Sequence, residues 1–182
     1  MNTPPPTPPT PALPHLSRLD LALRQLLHTQ RVAALGSVDA DGAPQVSMVP
    51  YALAHLPASC VMVLHLSGLA AHTRHLQAQA QACLMVMQAE VPDQAVHALP
   101  RVSLNVLAQT LSAPHPAYTA CRSAYLARFP EAQDMTQLPD FRFVMLTVTQ
   151  ARHIAGFGAA RRLDAPEVQR ILYAAPYAPE AT

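Results

Sequence analysis

Val61-Met62-Val63-Leu64-His65-Leu66-Ser67-Gly68-Leu69-Ala70-Ala71-His72-Thr73-Arg74-His75-Leu76 joins a strongly apolar run to a segment rich in helix formers through a Ser-Gly pair. The apolar run predicts a strand over Cys60–Leu66, and the helix formers beyond Gly68 predict a helix over Leu69–Gln79. A strand that ends in Ser-Gly just before a helix leaves backbone N–H donors unpaired at the helix start. Together with the Ser67 and Thr73 hydroxyls, the His72 imidazole and the Arg74 guanidinium, these donors form a set able to hold a dianionic phosphate. A plainer reading fits the same spacing: Ser67 caps the helix while His72 and Arg74 are solvated. A metal site on His65, His72 and His75 is disfavoured, because no carboxylate or cysteine lies nearby in sequence to complete the ligand set.

Upstream, Leu16, Leu19, Leu23, Leu26 and Leu27 recur at helical spacing behind Ser17, which predicts a capped amphipathic helix over His15–Thr29. Arg31–Val38 and Ala43–Ala52 are two β-prone runs around Asp39-Ala40-Asp41-Gly42, a hairpin signal because Gly42 tolerates positive φ. Downstream, Ala82–Gln88, Arg101–Leu111 and Phe141–Thr149 read as strands, and Tyr118–Phe129 and Glu131–Gln137 as helices separated by Pro130. Ile154–Leu163 contains Gly156-Phe157-Gly158, where a strand bends or a backbone approaches a ligand closely. Pro166 opens a last short helix. Helices this sparse break any βαβ rhythm, so the expected fold is mainly β, a small barrel with peripheral helices.

The chain has 182 residues, 12 basic against 11 acidic side chains, 51% apolar and 13% charged residues. That is the size of one domain, expected over residues 15–173 between a Pro-rich tail (1–14) and a short C-terminal tail (174–182). Near-zero net charge with scattered arginines argues against a nucleic-acid partner. Every basic residue is Arg, which rules out lysine Schiff-base chemistry and a P-loop lysine. No stretch is long enough and apolar enough for a membrane span. The first residues lack the basic start and apolar core of a signal peptide. Cys60, Cys83 and Cys121 are odd in number and widely spaced, as expected of reduced thiols in a cytoplasmic protein. No G-x-S-x-G elbow, C-x-x-C pair, H-E-x-x-H helix or P-loop occurs, and Gly156-x-Gly158 lacks the third glycine of a dinucleotide fingerprint.

Taken in order, Gln30-Arg31-Val32, Asp39-Ala-Asp-Gly-Ala-Pro44, Ser47-Met-Val-Pro50, Ser67-x-Leu69-Ala-x-His72-Thr73-Arg74-x-Leu76, Arg101-Val-Ser-Leu104, Tyr125-Leu-x-Arg-Phe-Pro130, Asp140-Phe141-Arg142 and Gly156-Phe157-Gly158 resemble the pyridoxamine 5′-phosphate oxidase-related FMN-binding split barrels. Within these, the resemblance is to the branch that includes the haem-utilisation proteins, and it covers about residues 16 to 170. It implies a six-stranded antiparallel Greek-key split barrel that forms a homodimer with two sites between subunits. It also implies FMN as cofactor, held at Ser47, Met48, Val49, Ser67, His72, Thr73 and Arg74 and reached by Arg101, in an oxidoreductase acting on a small substrate. The alternatives are a haem-binding protein on the same fold and a cofactor-free dimeric module.

The chain departs from the family pattern at several positions. Ser47 and Ala52 stand where the oxidases carry Arg and Lys, and the C-terminal Trp and Arg of the oxidases have no counterpart in a chain without Trp. His75, Gln79 and Val106 also depart from the flavin-binding pattern. The haem branch uses a late axial histidine supported by the acid of the Asp-Phe motif. Asp140 is present, but no histidine occurs beyond His153, so His153 or another histidine would have to substitute.

Overall fold

The computed structural model describes residues 16–173; the expected tails and the expected helix start at His15 lie outside them. Helix α1 (Arg18–Thr29) begins as the leucine spacing predicts. Ser17 accepts from the Asp20 N–H while the Asp20 carboxylate accepts from the Ser17 N–H, a reciprocal capping box. Strands β1 (Val32–Val38) and β2 (Pro44–Pro50) form the expected hairpin. Gly42 sits at φ 82°, and the Asp39 carboxylate accepts from the N–H groups of Asp41 and Ala43.

The run expected to end at Ala52 continues as a further strand, β3 (Ala52–Leu56), after a break at Tyr51. Pro50 has no N–H for the ladder, the Tyr51 N–H turns to the Arg31 carbonyl, and the Tyr51 hydroxyl donates to the Leu27 carbonyl at 2.8 Å. The chain thereby leaves one edge of the sheet and pairs with β4 (Ser59–Ser67) at the other. Next come α2 (Ala71–Ala78), β5 (Gln81–Met87), β6 (Arg101–Leu111), α3 (Tyr118–Arg128), β7 (Phe141–Ile154), β8 (Ala160–Asp164) and α4 (Ala165–Tyr173). Glu131–Gln137, expected as a helix, is two short 3₁₀ turns. The expected break at Gly156–Gly158 is the tip of a β7–β8 hairpin.

The result is one antiparallel sheet in the order β2-β1-β5-β6-β7-β4-β3, with β8 paired to β7. This is the expected mainly β fold with peripheral helices, and two details refine the six-stranded split barrel. Among the described residues eight strands form, because the Tyr51 break and the Gly156–Gly158 turn each split a run in two. The sheet curls without closing, since its edge strands β2 and β3 are consecutive in the chain and do not pair with each other. Val49 of β2 nevertheless shares one core cluster with Met62 and Leu64 of β4, Leu84 of β5, Leu104 of β6 and Leu23 and Leu27 of α1. A second cluster, on the other face of β4, packs Val61, Val63 and Phe143 under Cys121, Tyr125 and Phe129 of α3 and its C-terminal end. The two sets alternate along β4 as a strand buried on both faces requires.

Candidate functional site

Where β4 meets α2, Gly68 donates its N–H to the Asp140 carbonyl at 2.7 Å, and a Cβ added at Gly68 would lie 3.0 Å from that oxygen. Glycine is therefore required by close backbone approach. The Ser67 hydroxyl donates to the Asp140 carboxylate at 2.7 Å and accepts from the Leu69 N–H. Thr73, fully buried, donates to the Ser67 carbonyl at 2.7 Å, and Arg74 donates to the Leu69 carbonyl. His72 Nδ1 lies 3.2 Å from Ser47 Oγ on β2, and His75 Nδ1 lies 3.1 Å from Ser37 Oγ on β1. Burial, with His75 alongside, lowers the pKa of His72. The α2 N-cap, Ala70, offers no side-chain cap, so no side chain competes for the helix N-terminal donors.

Of the residues expected to bind a cofactor, Ser47 and His72 are brought into contact, and Ser67, Thr73 and Arg74 are linked through one turn. The hydroxyls of Ser67 and Thr73 already donate within the protein, one of them to a carboxylate. Val49 points into the core, whereas Met48 is 69% exposed on the outer face of the sheet. Arg101 is not part of this cluster. It begins β6, three strands from β2, roughly 14 Å away at the usual strand spacing. Its guanidinium donates to the His97 and Leu99 carbonyls.

Arg101 belongs to a different arrangement, carried by the outer face of the sheet. One cross-strand row runs Met48, Ala34, Met85, Ser103, Arg152, Arg162; beside it Pro50 pairs with Val32, and Met87, Arg101, Ile154 and Ala160 form a row of their own. Residues in one row share a face. On β2, β1 and β5 the face is apolar: Val46, Met48, Val32, Met85 and Met87 are all exposed and border a groove of about 300 Å³. On β6, β7 and β8 it is polar and basic, with Ser103, Asn105, Arg152 and Arg162 around a hollow of about 380 Å³. Arg152 and Arg162 are directly opposite one another, a like-charge pair that destabilises a ladder unless an anion or solvent screens it.

The arginines that look scattered in sequence are gathered here by the hairpin centred on Phe157, which is itself 90% exposed. Strand parity about Gly156–Gly158 was the signal available for this pairing. His153 and Arg161, also cross-strand partners, face the opposite way. His153 is fully enclosed, both ring nitrogens lack a hydrogen-bond partner among the described residues, and burial beside Arg161 lowers its pKa to about 4. It cannot serve as an iron ligand without opening the core, which corrects the expectation that His153 could replace the late axial histidine. His97, by contrast, is exposed in the 3₁₀ turn that leads into Arg101.

The family model described as pyridoxamine 5′-phosphate oxidase matches residues 19–155. Haem oxygenase HutZ of Vibrio cholerae is 24% identical over 152 residues, which cover 83% of this chain and 84% of that protein. Among solved structures, a haem-binding protein from Mycobacterium smegmatis superposes with a TM-score of 0.73 at 22% identity, over 85% of this chain and 61% of that one. Campylobacter jejuni ChuZ superposes with a TM-score of 0.72 at 16% identity, over 91% of this chain and 67% of that one. No helix among the described residues is long and apolar enough to cross a membrane.

Proposed function

Because the chain belongs to the pyridoxamine 5′-phosphate oxidase family of split barrels, we propose that it is a haem-binding protein of the haem-utilisation kind. The observation that carries this reading is the division of the outer sheet face into an apolar half and a basic half. Haem is an apolar disc with two carboxylates at one edge, and this face offers each part its complement. Val46, Met48, Met85 and Met87 would pack the macrocycle; methionine suits that task because its thioether is flexible and polarisable. Arg152 and Arg162 would take the carboxylates, relieving their mutual repulsion. His97 is the imidazole we assign to the iron, with Arg101 beside it. Haem, when bound, supplies iron-centred redox chemistry or is itself the cargo.

A second copy of the chain closing over the same apolar half, with the macrocycle held between the two, gives the homodimer, since Val46 at 75% exposure and Met48 are otherwise open to water. A cytoplasmic location belongs to the same reading and is supported by three free thiols.

A specific observation favours FMN as a second reading. Ser47, His72 and the uncapped start of α2 converge where a phosphate would be held, and the flavin would then supply the redox chemistry of an oxidoreductase. The test is titration of the purified chain with haem and, separately, with FMN. Saturable haem uptake with a Soret band, weakened at least about tenfold in Arg152→Ala/Arg162→Ala and changed in position in His97→Ala, is expected. Uptake of FMN alone, lost in His72→Ala/Thr73→Ala, would replace the haem reading with the flavin one.

A further inference from the structure

On the other face of the sheet, under α3, lies a cavity of about 300 Å³ whose lining includes His65, Leu111, Tyr118, Leu138, Phe141 and Arg142. None of its lining residues belongs to the outer face that carries Met48 and Arg152. His65 is only 6% exposed, and its Nδ1 has no hydrogen-bond partner among the described residues. Its ring stands among those of Phe143, Phe141 and Tyr125, with centroids 4.5, 5.0 and 5.6 Å away. Burial, with Arg122 nearby, lowers its pKa, so at neutral pH the imidazole carries one donor and one acceptor.

The enclosed Nδ1 is beyond a ligand's reach, whereas the other ring nitrogen, Nε2, is not enclosed and has no hydrogen-bond partner among the described residues, so it is the nitrogen a ligand group can pair with. The cavity also has a charged side. Arg142 is exposed there, and its guanidinium is steadied by the Pro139 and Phe141 carbonyls. Arg122 is anchored nearby by the Thr136 hydroxyl, another lining group, at 3.2 Å. The walls between these ends carry Leu111, Leu138, Tyr118, Phe141 and Phe143, with Ser112 and Thr136 among them. The cavity thus makes three chemical demands: an anionic group for Arg142, a flat, largely apolar body for the walls, and a hydroxyl for His65. The volume is at the small end of ligand sites and suits one ring.

We propose that this cavity is a binding site for a single-ring aromatic carboxylate bearing a ring hydroxyl, with Arg142 holding the carboxylate and His65 reading the hydroxyl. The site is separate from the proposed haem site on the outer face.

Isothermal titration of the full chain with 4-hydroxybenzoate and with benzoate tests it. Saturable one-to-one binding of 4-hydroxybenzoate is expected, with benzoate about tenfold weaker for want of the hydroxyl. Arg142→Gln, a change at an exposed position, weakens both about equally, whereas His65→Phe erases the difference between them. Failure of both compounds to saturate the wild-type chain at millimolar concentration would overturn the proposal. So would equal binding of the two compounds by the wild-type chain, a comparison that needs no variant to fold.

Discussion

His153 makes the acid stability of this domain depend on one enclosed imidazole. It is fully buried on β7, and its pKa is lowered to about 4 by burial first and by Arg161 second, with Asp20 acting weakly in the other direction. A base whose folded pKa lies below its unfolded value binds more protons unfolded than folded. Stability is therefore complete above about pH 6.5 and falls as the pH drops toward 4. At about 1.4 kcal/mol per pH unit, the loss between pH 7 and pH 5 is about 2 kcal/mol, a large share of the margin of an ordinary domain. His153→Leu removes that dependence, together with two unpaired buried nitrogens. Urea unfolding followed by circular dichroism at a fixed protein concentration should thus show the variant at least as stable as wild type at pH 7, and ahead of that by a further 2 kcal/mol or so at pH 5. His28, whose pKa is likewise lowered to about 4, is present in both chains and cancels in the comparison. Parallel stability curves for the two chains from pH 7 to pH 5 would refute the argument.

Three further outcomes can be checked with simple measurements. Gly68→Ala forces a methyl to within 3.0 Å of the Asp140 carbonyl and should cost about 1–3 kcal/mol in urea unfolding. Met48→Asp, a change on the exposed outer face, should leave the fold intact by circular dichroism and shift the chain to monomer in sedimentation equilibrium, because a carboxylate cannot be buried there unpaired. Asp20→Asn breaks the two ion pairs of a buried carboxylate, to the half-buried Arg161 at 2.7 Å and to the exposed Arg170 at 3.1 Å, and should destabilise by about 2 kcal/mol at pH 7. The Asp20 carboxyl is held at about 2: burial pushes it up, but the bonds from Arg161, the Ser17 N–H and Arg170 outweigh that effect. The wild-type contribution is thus present above about pH 4 and is lost as the pH falls through 2.

How much of the molecule was legible in the sequence depended on range. Local signals read correctly: the Ser17 cap, the Asp39–Gly42 turn, the strand that ends at Ser67-Gly68, and the whole of Arg101–Leu111. The strand Ala52–Leu56 was missed because its separation from β2 rests on Tyr51, whose hydroxyl reaches Leu27 across 24 positions. At the β4–α2 turn the residue types were right for an anion site, yet the use of the Ser67 hydroxyl depends on Asp140, 73 positions away. The basic end of the outer face was invisible as composition, because Arg152 and Arg162 become neighbours only once the hairpin closes.

That hairpin also ties the buried charge cluster to the proposed haem site. Along β8, Arg161 and Arg162 must point to opposite faces. Asp20, placed by the capping box of α1, pins Arg161 inward, and Arg170 of α4 closes on the same carboxylate from a second helix. With Arg161 so held, Arg162 has no freedom but to stand on the outer face beside Arg152. A rotation of β8 would exchange the two arginines, placing an unpaired guanidinium in the core at a cost no surface contact could offset. Asp20 touches nothing on the outer face, yet it determines which arginine is presented there. Its substitution should therefore weaken haem uptake as well as stability, whereas a surface change such as Glu131→Gln, which removes only the exposed pair with Arg31, should do neither.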